Sequence, residues 1–317
     1  MNVLVTGGAG YIGSAAVLEL SSRGHRVVSV DNLSLGDYEP LRRLSERYGY
    51  VLRVGDIRRP RDVEEALREC EADVVIHLAA VSGIPQCREN PEEAISTNVY
   101  GTYNVLEASR RMDVSRVIFS STAAVYGVPR RLPVSEGHEL RPISLYGVTK
   151  LASEALMNAF HEVYGMETVV LRFGNVYGVG PRVREDSVMP IFVSRALRGE
   201  ELRIYGDGSQ TRDFIHVMDV VDALEMCMEA PASKVSGQTF NLGCEAVSIG
   251  ELASIVLEEV EKAVGVRGRV VHAEERAWEV KEFYYSNEKI RRVLGFRPRR
   301  RVRQGVRELI EYYRRRL

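Results

Sequence analysis

Asn2-Val-Leu-Val-Thr6, followed at once by Gly7-Gly-Ala-Gly10-Tyr-Ile-Gly13, decides how this chain is read. The first five residues are a short apolar run of the kind buried in a parallel sheet. Behind the glycines, Ala15, Val17, Leu18 and Leu20 follow a helical pattern. Strand, glycine turn and helix in that order are the context of a dinucleotide-binding crossover. Gly7 permits the tight turn, Gly10 lets the backbone approach a pyrophosphate, and Gly13 lets helix and strand pack closely, while the helix N-terminus faces the phosphate charge. The spacing here is G-x-x-G-x-x-G rather than G-x-G-x-x-G. A second strand, Arg26 to Val30, ends in Asp31. An acid there accepts hydrogen bonds from both hydroxyls of an adenine ribose and repels a 2′-phosphate, which favours NAD over NADP.

Strand and helix patterns keep alternating downstream. Tyr50 to Val54 reads as a strand entering Gly55-Asp56, with Asp56 placed to reach an adenine amino group. Ala72 to His77 is the next strand, and Leu78-Ala79-Ala80 after it leaves room against a cofactor. A long helix is expected from Pro91 to Met112 and another strand from Arg116 to Ser120. Such repeats make an α/β fold, a Rossmann-type doubly wound parallel sheet, with ligands outside the carboxyl ends of its strands. A lone His at a strand end is ordinarily structural, so His77 is given no chemical role.

Ser120, Ser121 and Thr122 bring hydroxyls to that carboxyl edge. Tyr146 and Lys150 then sit four positions apart at the start of a helical run, on one helix face. A nearby cation favours a phenolate, and lowering a Tyr pKa by about three units takes roughly 4 kcal/mol of preferential stabilisation of the anion. Lys150 and a positively charged nicotinamide would make Tyr146 a general base. Tyr-x-x-x-Lys alone is a common accident; its place in this chain gives it weight.

Composition narrows the classes. The chain has 317 residues, 45% of them hydrophobic, with 43 Lys and Arg against 44 Asp and Glu, a formal net charge of −1. It carries no global basic field for nucleic acid, and the Arg-rich end (Arg297 to Arg303, Arg314 to Arg316) reads as a solvated face of the last helix. Cys70, Cys87, Cys227 and Cys244 are widely spaced with no C-x-x-C, so reduced thiols, a cytoplasmic setting and no metal site are expected. Residue 1 leads straight into a strand, and no apolar run is long enough for a membrane span, so neither a signal peptide nor a membrane anchor is expected.

These motifs in sequence, with Ser120-Ser-Thr-Ala-Ala-Val-Tyr-Gly127, Arg172-Phe-Gly-Asn-Val-Tyr-Gly178, Gly206-Asp-Gly and Arg212-Asp-Phe-Ile-His-Val217, resemble the extended short-chain dehydrogenases/reductases of the nucleotide-sugar group. Within that group the chain is most similar to the UDP-glucose 4-epimerases, along essentially its whole length. The resemblance implies an NAD-binding domain over 1–173 plus 214–242 and a smaller mixed α/β nucleotide-sugar domain over 174–213 plus 243–317. It implies Tyr146 as base for the sugar 4-hydroxyl, Lys150 on the nicotinamide ribose, and Thr122 on the same 4-oxygen. The cofactor would be framed by Gly7, Gly10, Tyr11, Ile12, Gly13, Asp31, Asn32, Asp56, Ile57, Leu78, Ala79, Ala80, Asn98 and Ser120, with Tyr146 and Lys150. Asn98 would support the Lys150 side through water or backbone contacts. A UDP-sugar would meet Thr122, Tyr146, Asn175, Arg212, Arg276 and Glu279, the two arginines gripping diphosphate.

Departures from the family pattern refine the expectation. Dehydratases of the group usually carry an acidic pair after the Thr, where this chain has Ala123 and Ala124; decarboxylases usually have Glu at the second position. Without a carboxylate, elimination lacks its acid–base partner. Arg276-Ala-Trp-Glu279 stands where the family often has Arg-x-Gly-Asp, and Phe283 lies near where related epimerases gate sugar size. A bulky ring there favours plain hexoses over N-acetylated ones. Rival readings are a 4-epimerase of a UDP-uronate or UDP-N-acetylhexosamine, a dehydratase or reductase, and a non-catalytic NAD-binding regulator; the last commonly loses the Tyr or Lys kept here. The resemblance also implies that the helices Pro91 to Met112 and Tyr146 to Tyr164 pair two subunits through a four-helix bundle, giving a homodimer.

Overall fold

The computed structural model describes residues 1–35, 39–275 and 280–316. Twelve strands are described: β1 Asn2–Thr6, β2 Arg26–Asp31, β3 Val51–Val54, β4 Val74–His77, β5 Arg116–Thr122, β6 Glu167–Phe173, β7 Asn175–Tyr177, β8 Leu202–Tyr205, β9 Thr211–His216, β10 Gln238–Leu242, β11 Glu245–Ser248 and β12 Val270–Ala273. Seven form one parallel sheet in the order β10-β6-β5-β4-β1-β2-β3. The order reverses between β1 and β4, which opens a crevice at the carboxyl ends of the strands, the ligand position of doubly wound sheets. The expected Rossmann-type sheet is therefore present, with β10 extending it beyond β6.

Both sheet faces are covered, and the strands alternate between two cores. Val3, Val5, Ile76, Ile118 and Leu171 face one, with helix Tyr11–Ser22 and helix Val217–Glu229. Leu4, Val28, Val75, Phe119 and Val170 face the other, with helices Pro60–Cys70, Gly101–Arg111 and Leu145–Tyr164. This two-sided burial is why these strands read as near-continuous apolar runs. A third core gathers helices Val188–Leu197, Ile249–Val264 and Val302–Arg314 around β8, β9 and β11. There β9 pairs parallel with β7 and antiparallel with β11, and β12 pairs with β8.

One expected element is broken. The helix predicted over Pro91 to Met112 comprises Pro91–Ile95, a π-turn over Ser96–Tyr100, and Gly101–Arg111. The wider turn leaves the Asn98 carbonyl to accept from the hydroxyls of Thr102 (2.5 Å) and Ser153 (2.7 Å). The buried Asn98 side chain is fixed too. Its Oδ1 accepts from Val81 N at 2.8 Å, and its Nδ2 donates to the Val81 carbonyl at 3.1 Å and to Thr149 Oγ1 at 2.9 Å.

Candidate active site

The helix carrying Tyr146 begins where its sequence says it should. Ser144 caps Leu145–Tyr164 by accepting from Gly147 N at 3.2 Å, and Gly165 closes it at φ +71. A Cβ on Gly147 would stand 2.5 Å from the Ala124 carbonyl oxygen, so glycine alone lets the first turn lie this close to the segment after Thr122.

Three successive turns of that helix then approach three successive residues of β5. The Thr122 side chain stands close enough to the Tyr146 phenol to lower its pKa. Lys150 Nζ donates to the Ser120 carbonyl at 2.8 Å and lies 4.7 Å from the centre of the Phe119 ring. The Ser121 hydroxyl donates to Glu154. Glu154 also takes a two-pronged bond from Arg172, Nε to Oε1 at 2.9 Å and Nη2 to Oε2 at 2.6 Å, with both side chains almost fully buried. Arg172 Nη1 donates to the Tyr126 hydroxyl at 2.7 Å, and that hydroxyl donates to Asn241 Oδ1 at 2.7 Å. The sequence shows no sign of Glu154, because its partners lie on other elements.

Electrostatics follow from burial. Burial pushes the Tyr146 phenol up, while the Arg184 guanidinium and the Thr122 side chain pull it back down. Burial drives the Lys150 ammonium down to about 8, with Cys87 and Glu154 opposing the fall. His77 is driven to about 3, by burial and then by the Lys150 charge. It is therefore neutral at ordinary pH, with Nδ1 2.7 Å from the Thr6 hydroxyl and Nε2 3.0 Å from that of Thr102. Thr102 donates to the Asn98 carbonyl, so Nε2 carries the proton in this chain of bonds.

The depressed Lys150 value has a measurable consequence. Between pH 8 and 10.5 the unfolded chain holds a proton that the folded chain has released, so this group's contribution to stability rises with pH across that window. Below it the folded state carries the full cost, about 3 kcal/mol. In urea titrations of cofactor-free protein, the stability difference between wild type and Lys150→Met should move toward wild type by up to that amount from about pH 7 to about pH 10. A flat difference would contradict the burial of a charged Lys150.

The glycine turn suits a dinucleotide. Gly7 has φ +74, and a Cβ there would stand 2.7 Å from the Ala79 backbone. A Cβ on Gly13 would collide with the Gly7 carbonyl, so the helix packs against the turn itself. At Gly10 a Cβ would meet only the Gly7 oxygen, at 3.2 Å, which leaves the space beyond it clear for phosphate. Asp31 holds the turn through Oδ2, accepting from Ala9 N at 2.9 Å, and Oδ1 accepts from Leu33 N at 2.8 Å. Each oxygen keeps a lone pair for a ribose hydroxyl. Leu78 N and Ala79 N donate to the backbone and side-chain oxygens of Thr6, at 3.1 and 3.2 Å, which sets Leu78, Ala79 and Ala80 at the mouth of the crevice.

Other expected positions fall differently. Asp56 is gripped by Arg58, whose Nε lies 2.9 to 3.0 Å from both its oxygens. Burial would raise this carboxyl, but the Arg58 and Asn32 hydrogen bonds hold it low. Ile57 is buried in the core beneath Gly101, and its carbonyl accepts from Asn104. The Tyr11 hydroxyl donates to the Gly178 carbonyl at 2.9 Å, tying the glycine turn to the segment after β7, while Ile12 packs against the first core. Asn175 is exposed on β7, and Arg212 Nη1 donates to the Thr211 and Val280 carbonyls at 2.9 and 2.6 Å. Phe283, expected at the sugar gate, is only 5% exposed and packs its ring on Tyr126 and Tyr285. Arg276 and Glu279 lie outside the described residues.

Residues 3–243 match the NAD dependent epimerase/dehydratase family. A UDP-glucose 4-epimerase of Halalkalibacterium halodurans is 34% identical, with 94% of this chain and 91% of the relative covered. The crystal structure of a Thermotoga maritima UDP-glucose 4-epimerase with UDP-glucose superposes with a TM-score of 0.90 at 33% identity, over 99% of each chain. MoeE5 in complex with UDP-glucuronic acid and NAD superposes at 0.85 with 36% identity, over 100% of each.

Proposed function

This chain belongs to the NAD dependent epimerase/dehydratase family, with NAD as its cofactor, and we propose that within it the protein interconverts the 4-epimers of a UDP-hexose, UDP-glucose and UDP-galactose, through a transient 4-keto sugar. The observation that carries this reading is the Thr122–Tyr146 pair at the carboxyl edge of β5, with a buried Lys150 one turn behind it and Ala123 and Ala124 where a carboxylate would be needed for elimination.

When bound, NAD supplies the hydride acceptor and donor for sugar C4. Tyr146 takes the 4-hydroxyl proton and returns it to the opposite epimer, and Thr122 holds the same oxygen. Lys150, held on the Ser120 carbonyl, would offer its positive charge to the nicotinamide ribose. For the 4-keto sugar to turn over and present its other face, its own contacts must be loose and those of the nucleotide firm. NAD is assigned to 1–173 plus 214–242, on Gly7, Gly10, Gly13 and Asp31, and the nucleotide sugar to 174–213 plus 243–317, with Asn175 and Arg212 on the diphosphate side and Arg276 and Glu279 as further contacts. Purified protein given UDP-galactose and no added NAD should produce UDP-glucose. If it stays silent even with added NAD, the hexose reading fails.

A homodimer belongs to the same reading. Tyr100, Tyr103, Phe160 and Tyr164 make a continuous run of ring contacts across helices Gly101–Arg111 and Leu145–Tyr164 and the π-turn before the former. Ile95, Tyr100, Val163 and Tyr164 are each more than half exposed. An apolar patch of this kind marks an interface. Light scattering at micromolar protein should give twice the 35.6 kDa chain mass; a monomer would refute the assignment. Among the described residues no helix is long and apolar enough to cross a membrane.

A further inference from the structure

Residues 178–187 run without regular structure from β7 to helix Val188–Leu197, and their first part lies against the glycine turn and the helix behind it. The Gly178 carbonyl accepts from the Tyr11 hydroxyl at 2.9 Å, and a Cβ on Gly180 would meet that of Ala15 at 3.4 Å. Val183 is buried in the third core, among the helices of the smaller unit. Its neighbour Arg182 is half-buried and reaches back to the turn. Arg182 Nη1 donates to the Ala9 carbonyl at 3.3 Å, and Nη2 donates to the Leu35 carbonyl.

These two carbonyls flank Asp31. Ala9 belongs to the glycine turn, and its own N–H is already held by Asp31 Oδ2 at 2.9 Å. Leu35 lies in the loop after β2, where Leu33 N donates to Asp31 Oδ1 at 2.8 Å. The bonds close a circuit from Ala9 through Asp31 and the loop to Leu35, and back through Arg182. Within it Leu33 has φ +60, a left-handed conformation that a leucine keeps only where its surroundings enforce it. Asp31 supplies one such hold and Arg182 the other. Among the described residues no carboxylate pairs with Arg182, so its charge beside the turn favours an anionic ligand there.

A guanidinium can hold two carbonyls at once because its donors stand in a fixed fork. We propose that Arg182 is a positioning residue for NAD: it reaches out of the unit assigned to the nucleotide sugar and locks together the glycine turn that receives pyrophosphate and the Asp31 loop that receives the adenine ribose. With the bridge in place neither part can draw away from the other, and the bound dinucleotide is retained. This role needs NAD as the cofactor and no particular sugar, so it can fail while the proposed epimerisation stands, and hold if that reaction fails.

Exchange of bound cofactor tests it. Purified NAD-loaded protein is mixed with excess isotopically labelled NAD, and the label retained after rapid desalting is followed in time. Arg182→Met should exchange its NAD about 10- to 100-fold faster than wild type, the loss expected for hydrogen bonds from a charged donor. Arg182→Lys should fall between the two, because an ammonium keeps the charge and loses the fork. Tyr313→Phe removes the bond from the last helix to Glu185, which loosens the same stretch without touching the bridge. Its exchange should stay within about twofold of wild type. UDP binding, measured by calorimetry on the NAD-loaded proteins, should also change by less than about twofold in Arg182→Met. Exchange at the wild-type rate by Arg182→Met would overturn the proposal. Equal acceleration in Tyr313→Phe, or a loss of UDP affinity as large as the gain in exchange, would overturn it too, by showing that Arg182 only keeps the stretch folded.

Discussion

Tyr146→Phe should fold, retain NAD and lose turnover of UDP-galactose by about 10²- to 10⁴-fold, the usual contribution of a positioned acid–base group. The ring keeps its place at the head of helix Leu145–Tyr164, so packing is little changed, while the hydroxyl beside Thr122 is gone. That hydroxyl has work to do against its surroundings. Burial drives its pKa up, and the Arg184 charge and the Thr122 side chain only partly compensate in the cofactor-free protein. The positive charge of the oxidised nicotinamide, present once the cofactor is bound, would pull it down further. Thr122→Val removes one neutral hydrogen bond and should cost less, about 10-fold. Kinetics with UDP-galactose, alongside the NAD content of each purified variant, check both. Near-normal turnover by the Phe variant would remove Tyr146 from the mechanism.

The second large effect is on stability. Glu154→Ala should cost about 3 to 5 kcal/mol in urea unfolding, because it leaves Arg172 charged and buried without its carboxylate. Arg172→Met should cost a similar amount, through an unpaired Glu154. Replacing both together by Met should cost much less than the sum of the two, since the desolvation of two charges disappears with the pair. Additive losses in that double-mutant cycle would show that the pair is not acting as a unit. The same variants should lower turnover, because Glu154 fastens Ser121, the neighbour of Thr122, to the helix that carries Tyr146.

Whatever depended on neighbouring residues could be seen in the sequence. The run from Asn2 to Gly13, the acid at Asp31 and the Tyr146–Lys150 spacing are all set within a turn or a strand, and each stands in the expected element. His77 as a structural residue was visible for the same reason, from its place at a strand end. The remaining features depend on distant partners. Asn98 occupies a π-turn because its side chain is anchored to Val81 and Thr149, contacts that helical periodicity does not encode. Glu154 and Arg172 meet across a helix and a strand, and Phe283 is buried by Tyr126 and Tyr285. Asp56 is the exception: its partner Arg58 is two residues away, and a local acid–base pair there was open to reading. Arg184 lies in a stretch without periodicity, and only in the folded chain does its charge act on the Tyr146 phenol.

One isotope experiment decides the central claim. UDP-galactose carrying deuterium at sugar C4 is incubated with purified protein, and the UDP-glucose formed is examined by NMR and mass spectrometry. The mechanism predicts that the label stays at C4, because the hydride leaves and returns within one site, and that in a parallel run of unlabelled UDP-galactose in D2O no solvent deuterium enters C5 or C6. Loss of the C4 label, or entry of solvent hydrogen at C5, would contradict it and point to elimination or to reduction by an external donor.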